Sequence, residues 1–445
     1  MLRSKLQILL LGLCLSLLIN PLFVIINPLY VNAEEETVDS SGQVALQLEV
    51  NSAILMEAGT GQILFDYQSD TAYPPASMAK MMTEYIVLDK IGEGTLKWTD
   101  VVTISAYASS VIGSGQLLAE GETYTIEDMF KNMSIYSGND AAVALAEHIG
   151  GNEENFAKLM NTTAGTLGLS DLSHFINATG LSRKDMGAEH APADIEGETL
   201  LTARDAAMLA FHIVNDHPEA LKYTSVPQAY LREGDETSLM KNWNWMLDNW
   251  KPFKNIFAKK YAYTGLDGLK TGHTTEAGYC FAGTAERGGM RLISVVMGAK
   301  SEAKRFDETK KLLDYGFGNF EKKTVLTAKT EMTSLKTVKI KKGVETEIAA
   351  VTEAGLEFIV KKGALPEQFT TKAKAFKESK LVAPIKKGDV VGTVTVTYKE
   401  KDKETVQKVN LIAAEDAEKA SWFRLFFRAI RDFFKDIFSG IKNIF

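Results

Sequence analysis

Near Phe320 the hydrophobic pattern of the chain changes period, and this change limits the possible folds more than any other feature. Before it, apolar residues recur at helical spacing in several stretches, interleaved with short strand-like runs. After it, from Glu321 to Ile412, Thr, Val and Lys alternate with period two, as in Thr393-Val394-Thr395-Val396-Thr397-Tyr398. Such a chain builds one mixed core and one all-β core, an α+β protein overall. A length of 445 residues accommodates two or three domains, and 45% hydrophobic residues exclude a disordered chain. The expected division is 49–320 for the mixed domain and 321–412 for the small β-domain. These are flanked by segments 1–33, 34–48 and 413–445. A formal net charge of −7 speaks against a protein that binds nucleic acid by bulk charge. Two cysteines, Cys14 and Cys280, rule out a disulfide scaffold and a four-cysteine zinc site. The six histidines are scattered without an HExxH, so no metal site or other cofactor is expected.

Both ends carry signals of their own. Arg3 and Lys5 precede an apolar run from Ile8 to Ile19. Pro21 and Pro28 follow, and Val31-Asn32-Ala33 places small residues before Glu34-Glu35-Glu36. Segment 1–33 therefore reads as an export signal cleaved after Ala33. The rival reading is an uncleaved anchor, but the prolines spoil a spanning helix of about 20 residues. Leu13 stands before Cys14 where a lipoprotein signal would carry a small residue. At the other end, Ser421–Phe445 puts Phe423, Phe426, Phe427, Ile430, Phe433 and Phe434 at helical spacing, with Arg424, Arg428, Arg431 and Lys435 opposite. Five basic and two acidic residues make this segment +3 inside an acidic protein. So many charges do not belong in hydrocarbon, so the helix is expected to lie in a membrane interface rather than pack on its own domain.

Between the ends, Ala53–Met56 and Ile63–Phe65 flank Gly59-Thr60-Gly61 as a hairpin. Pro74-Pro75-Ala76 opens a helix expected over Ser77–Lys90. Thr125 and Asp128 start another helix, Asp140–Ile149 is a third, and Thr202 and Asp205 cap a fourth ending near Asp216. Strands are expected over 267–272, 279–284 and 290–298, the last two joined by Arg287-Gly288-Gly289, with a closing helix over 303–315.

Three short patterns carry chemistry. Ser77-Met78-Ala79-Lys80 sets a nucleophile and a base on one helix face, with the serine near free helix N–H groups. The same S-x-x-K spacing also occurs at Ser238, Ser301 and Ser439, none of which follows a Pro-Pro helix start, and taken alone Ser77 reads as a plain helix cap. Ser137-Gly138-Asn139 is the one S-x-N, expected in a loop between helices, where a polar turn is the bland alternative. Lys270-Thr271-Gly272 is the one K-T-G, expected on a strand. No GxSxG elbow is present. The order of the three patterns, separated by 60 and 133 residues, is what distinguishes them from chance.

In that order the patterns resemble the penicillin-recognising serine acyltransferases. Residues 52–320 are similar to the low-molecular-mass penicillin-binding proteins, the serine D-alanyl-D-alanine carboxypeptidases. Glu57-Ala58-Gly59-Thr60-Gly61, Pro74-Pro75-Ala76-Ser77, Ser137–Ala141, Asn177-Ala178-Thr179-Gly180-Leu181 and Asp267–His273 carry the likeness. Pro384–Asp389 and the terminal helix resemble that family's β-domain and anchor. The resemblance implies a penicillin-binding/β-lactamase-like transpeptidase fold and an exported enzyme, peripheral on the outer face of the bacterial cytoplasmic membrane. Its substrate would be the peptidoglycan pentapeptide, and β-lactams would trap it. Ser77 would attack the carbonyl between the terminal D-alanines and Lys80 would take its proton. Ser137 would relay that proton, while Asn139 would bind a substrate amide or orient Lys80. Lys270, Thr271 and Arg305 would meet the terminal carboxylate, and Gly272 would let the substrate backbone approach. The N–H groups of Ser77 and His273 would hold the oxyanion. Cys280 reads as a buried small hydrophobe, and Trp243 and Trp245 as packing rather than glycan contacts. A β-lactamase is disfavoured by the Ser-Gly-Asn loop and by the lack of a Glu-x-x-Leu-Asn segment between Asn139 and Lys270. A wall endopeptidase shares the motifs and stays open. Intact motif residues argue against a decayed, merely wall-binding protein.

Overall fold

The computed structural model describes residues 46–250, 260–401 and 403–442. Segment 1–33, expected as an export signal, with its Cys14, and the leader as far as residue 45 lie outside the described residues. From Leu48 onward the chain forms one compact unit.

Strands β1 (Ser52–Glu57) and β2 (Ile63–Tyr67) pair as the expected hairpin. Its turn is locked by the Glu57 carboxylate, which accepts from the Thr60 N–H at 2.8 Å and the Thr60 hydroxyl at 2.7 Å. A 3₁₀ turn, Ala76–Ala79, leads into α1 (Lys80–Gly92). The expectation of a regular helix from Ser77 is corrected here. Ala76 enters with φ +49° and the Met78 N–H closes back on the Pro75 carbonyl, an i→i+3 bond, so α-geometry begins only at Lys80. Helix α2 (Ile126–Lys131) opens with a capping box between Thr125 and Asp128. It runs on through one wider π turn, Asn132–Tyr136. Ser137 then takes a left-handed conformation, φ +65°, and α3 (Asn139–Gly150) begins at Asn139. Asn139 is therefore the first helical residue and not part of a loop. Helices α4 (Glu153–Thr166) and α5 (Ala203–Asp216) follow, the latter capped by Thr202 as its sequence foretells.

Strands β3 (Leu266–Thr274), β4 (Gly278–Arg287) and β5 (Met290–Ala299) join the hairpin in one antiparallel sheet, ordered β2-β1-β5-β4-β3. Strand β3 is an edge. Helix α6 (Glu302–Asn319) covers one face of the sheet, where Leu55 and Leu292 meet Gly316. The other face shares its core with α1, α2, α3 and α5: Ile54, Met56, Ile293, Val295 and Met297 pack with Met81, Met82, Phe130 and the Ala-rich stretch Ala141–Ala146. A sheet buried on both faces reads as continuous apolar runs, which explains why β1 is buried at all six positions.

Helix α6 passes directly into β6 (Phe320–Leu326). Strands β7 (Thr337–Lys339), β8 (Glu347–Thr352), β9 (Leu356–Lys361), β10 (Phe369–Ala375), β11 (Val390–Glu400) and β12 (Lys403–Ala413) follow. They form the β6–β9 pair and a sheet ordered β7-β8-β12-β11-β10, around a core separate from the first. Helix α7 (Trp422–Lys442) closes the described chain. Arg428 ties it to the carbonyls of Gly343 and Val344, while Trp422, Phe423, Phe427 and Phe433 stand exposed. Among the described residues no helix is long and apolar enough to cross a membrane.

Candidate active site

Three stretches distant in sequence meet where the 3₁₀ turn before α1, the left-handed corner before α3 and the edge strand β3 come together. A 3₁₀ turn has three residues per turn, so positions i and i+3 eclipse. This sets Lys80 Nζ 2.9 Å from Ser77 Oγ. Nζ also lies 2.6 Å from Asn139 Oδ1 and 3.1 Å from the Thr179 carbonyl. Asn139 is held in turn by its own Nδ2, which donates to the Ile112 carbonyl at 2.6 Å. Lys270 Nζ donates to Ser137 Oγ at 2.7 Å and to the Thr271 carbonyl at 3.2 Å.

Both lysines are buried, and both are held below the ordinary lysine range, chiefly by that burial. For Lys80 the next cause is the charge of Lys270, with Asp140, Glu84 and Glu153 opposing it. For Lys270, Glu84 opposes the shift and Arg305 adds to it. Of Lys80's three partners only the Ser77 hydroxyl can donate a proton. A neutral Lys80 therefore gives its two N–H groups to Asn139 and Thr179 and keeps its lone pair for Ser77. Such an arrangement lets the amine accept the hydroxyl proton.

In front of Ser77 lies a cavity of about 290 Å³, whose wall includes Ser137, Thr271, Gly272, His273 and Arg305. Lys80, Asn139 and Lys270 stand behind that wall. Arg305 is buried; its guanidinium reaches the Gly272 carbonyl at 3.4 Å and Glu302 at 3.1 Å, while its Nε has no partner. His273 stacks on Tyr279 with ring centroids 4.0 Å apart. All nine residues expected from sequence thus lie at one place, six on the cavity wall and three just behind it.

Three expectations change in detail. Gly272 does not merely leave room for a substrate. A Cβ there would stand 2.4 Å from the Pro75 carbonyl and 3.2 Å from Ser77 N, so the glycine lets β3 approach the turn that carries Ser77. Asn139 points to Lys80, not into the cavity. Trp243, expected as packing, lines the cavity at 42% exposure, with its indole N–H on the Tyr136 carbonyl; Trp245 does pack, against Phe306 and Tyr261. Cys280 is fully buried, and burial pushes its thiol up to about 11.

Sequence reasoning assigned no role to the Thr179 carbonyl. Asn177 Oδ1 accepts from the N–H groups of Thr179 and Gly180, and the Ala178 N–H donates to the buried Glu153, so Asn177-Ala178-Thr179-Gly180 is built to aim that carbonyl. Gly180, at φ +80°, lets the segment press on the Ala76 carbonyl. Ser114, another wall residue, was signalled only by its setting in Gly113-Ser114-Gly115.

Comparison with known proteins decides the family. The profile of the D-alanyl-D-alanine carboxypeptidase family matches residues 37–301. The chain belongs to the D-alanyl-D-alanine carboxypeptidase family. A second profile, the C-terminal domain of penicillin-binding protein 5, matches residues 320–419. Among carboxypeptidase relatives, DacF of Bacillus subtilis is 34% identical over 87% of this chain and 90% of its own. DacC of Escherichia coli is 33% identical over 88% of each. Penicillin-binding protein 5 from Haemophilus influenzae has a solved structure that superposes with a TM-score of 0.66 at 30% identity, covering 85% of this chain and all of that one. Penicillin-binding protein D2 from Listeria monocytogenes, solved in its ampicillin-bound form, is 33% identical over 62% of this chain and all of its own, with a TM-score of 0.50. As a member of the family, this carboxypeptidase is a serine-type hydrolase of cell-wall peptidoglycan with a penicillin-binding-protein fold.

Proposed function

We propose that Ser77 is the nucleophile that removes the terminal D-alanine from pentapeptide stems, with Lys80 as its base. The observation that carries this is the 2.9 Å contact between Ser77 and a buried Lys80 whose other two partners are both carbonyl oxygens. Oγ adds to the carbonyl between the two D-alanines, and its proton passes to Lys80. The C–N bond then breaks as the proton held by Lys80 is relayed to the leaving amine through the Ser137 hydroxyl, which touches the Lys270 ammonium, and Lys80 is again a free amine. The N–H groups of Ser77 and His273 hold the oxyanion. Thr271, Lys270 and Arg305 supply the donors and positive potential that the free carboxylate requires. Water then hydrolyses the ester and Lys80 returns as its base. A β-lactam offers the same carbonyl and stays on Ser77, in keeping with the ampicillin-bound form of the Listeria relative.

In the test, the soluble mature chain is incubated with diacetyl-Lys-D-Ala-D-Ala and free D-alanine is measured. Release is expected from the wild type and is absent from Ser77→Ala and from a penicillin-blocked sample. No release, with penicillin still bound covalently or quickly hydrolysed, would instead assign the site to an endopeptidase or a β-lactamase.

The same reading places the enzyme outside the cytoplasm. In it, segment 1–33 is the cleaved export signal, 49–320 the catalytic domain, 321–412 a spacer, and α7 an interfacial anchor. Exposed phenylalanines beside Arg424, Arg428 and Arg431 suit the boundary of an anionic lipid surface. Deleting 421–445 is expected to release the protein from membranes with full activity on soluble peptide. Fractionation that still finds the truncated chain on membranes would move the anchor to the N-terminus.

A further inference from the structure

Behind the cavity wall the two lysines share one acid that the mechanism above leaves unused. Glu84 lies one helical turn beyond Lys80 on α1, so the two side chains leave the same face. It is completely buried, and neither carboxylate oxygen closes a hydrogen bond. Ser134, beside it on the π turn, closes none either, and nor does Asn132 Oδ1. Burying a carboxylate this way is costly unless a cation compensates, and a methionine would fill such a site without that cost. Lys80 stands one turn away on the same helix, and the charges of Lys270 and Lys80 both act on the carboxyl.

The two lysines do not feel Glu84 equally. For Lys270 it is the largest charge effect, opposed by Arg305 of α6. For Lys80 the largest charge effect is repulsion from Lys270, and Glu84 contributes after Asp140 of α3 and ahead of Glu153 of α4. Burial itself pushes the Glu84 carboxyl above the ordinary range, against the opposing charges of Lys270 and Lys80.

We propose that Glu84 is a positioning residue for acyl transfer: its buried, unpartnered carboxylate, one helical turn from Lys80, is the counter-charge of the lysine pair that stands behind Ser77 and Ser137. Glu84 touches no substrate; it acts through Lys270. The inference rests on the reading of Ser77 and Lys80 given above.

The test is the pH profile of penicillin acylation for the wild type, Glu84→Gln, Glu84→Met and Glu84→Asp. The alkaline limb reports loss of the Lys270 proton. Without its counter-charge Lys270 gives up that proton at lower pH, so in Glu84→Gln and Glu84→Met the limb is expected to move down by about one pH unit. Glu84→Asp, which keeps the charge, restores it. Asp140, Glu153 and Arg305 are unchanged in every variant, so the shift isolates Glu84. A limb that stays in place while only thermal stability or amplitude falls would overturn the proposal. Failure of both neutral variants to fold would also overturn it, by making the carboxylate a requirement of the fold alone. A wild type that penicillin does not acylate would instead sink the reading of Ser77.

Discussion

Replacing Lys80 by alanine is expected to leave a folded protein that no longer labels with fluorescent penicillin. The fold is expected to survive because the change removes a buried amine whose own desolvation opposes burial. What remains unpaired are Asn139 Oδ1 and the Thr179 carbonyl, at about 1–3 kcal/mol for each orphaned group. The core contacts here come from Met78 of the 3₁₀ turn and from Met81, Met82 and Ile86 of α1, and none of these is altered. Acylation is expected to fall by roughly a thousandfold or more, because Ser77 loses the side-chain amine that stands 2.9 Å from its hydroxyl. Lys80→Arg separates base from charge. A guanidinium keeps the positive potential but cannot accept a proton at any working pH, so it too is expected to be inactive. Undiminished labelling of Lys80→Ala would remove Lys80 from the chemistry.

Gly272→Ala is expected to cripple acylation although no reacting group is touched. The new Cβ would meet the Pro75 carbonyl at 2.4 Å and the amides of Met78 and Ser77 at 3.1 and 3.2 Å. These are backbone atoms and cannot swing aside. Either β3 or the 3₁₀ turn must shift, at about 1–3 kcal/mol in stability. A displacement near 1 Å at Ser77 corresponds to about a hundredfold loss of rate. The control is Gly318→Ala on α6, where a Cβ meets nothing and helix propensity improves slightly. Acylation rates and melting temperatures of both variants decide the matter. A Gly272→Ala enzyme that acylates like wild type would show that the two backbones part without consequence.

Much of the fold was legible from local signals. The hairpin about Gly59-Thr60-Gly61, the caps at Thr125 and Thr202 and the strands on either side of Arg287-Gly288-Gly289 each stand within a few residues of where sequence places them. The misplaced starts share a cause. Ser77 sits in a 3₁₀ turn and Asn139 opens a helix because Ala76 and Ser137 both adopt positive φ. Neither residue type favours that conformation, so no propensity announces it. Trp243 was read as packing because an aromatic side chain looks alike in a sequence whether it fills a core or walls a cavity.

The sequence by itself determined which groups are available: a serine and a lysine three positions apart, a second serine with its asparagine, and a lysine on a strand rich in glycine. It also determined the change of period at Phe320 and the amphipathic end, since both are written in residues close together along the chain. Only the tertiary structure decided what those groups are. Lys80 is held below the ordinary lysine range first by its own burial and then by the charge of Lys270, 190 positions later, while Asn139 and Thr179 occupy two of its bonds. Gly272 has no room for a Cβ because the turn before α1, far from it in sequence, presses on it. Desolvation and close approach depend on what the rest of the chain stacks against a residue, and no local pattern carries that information.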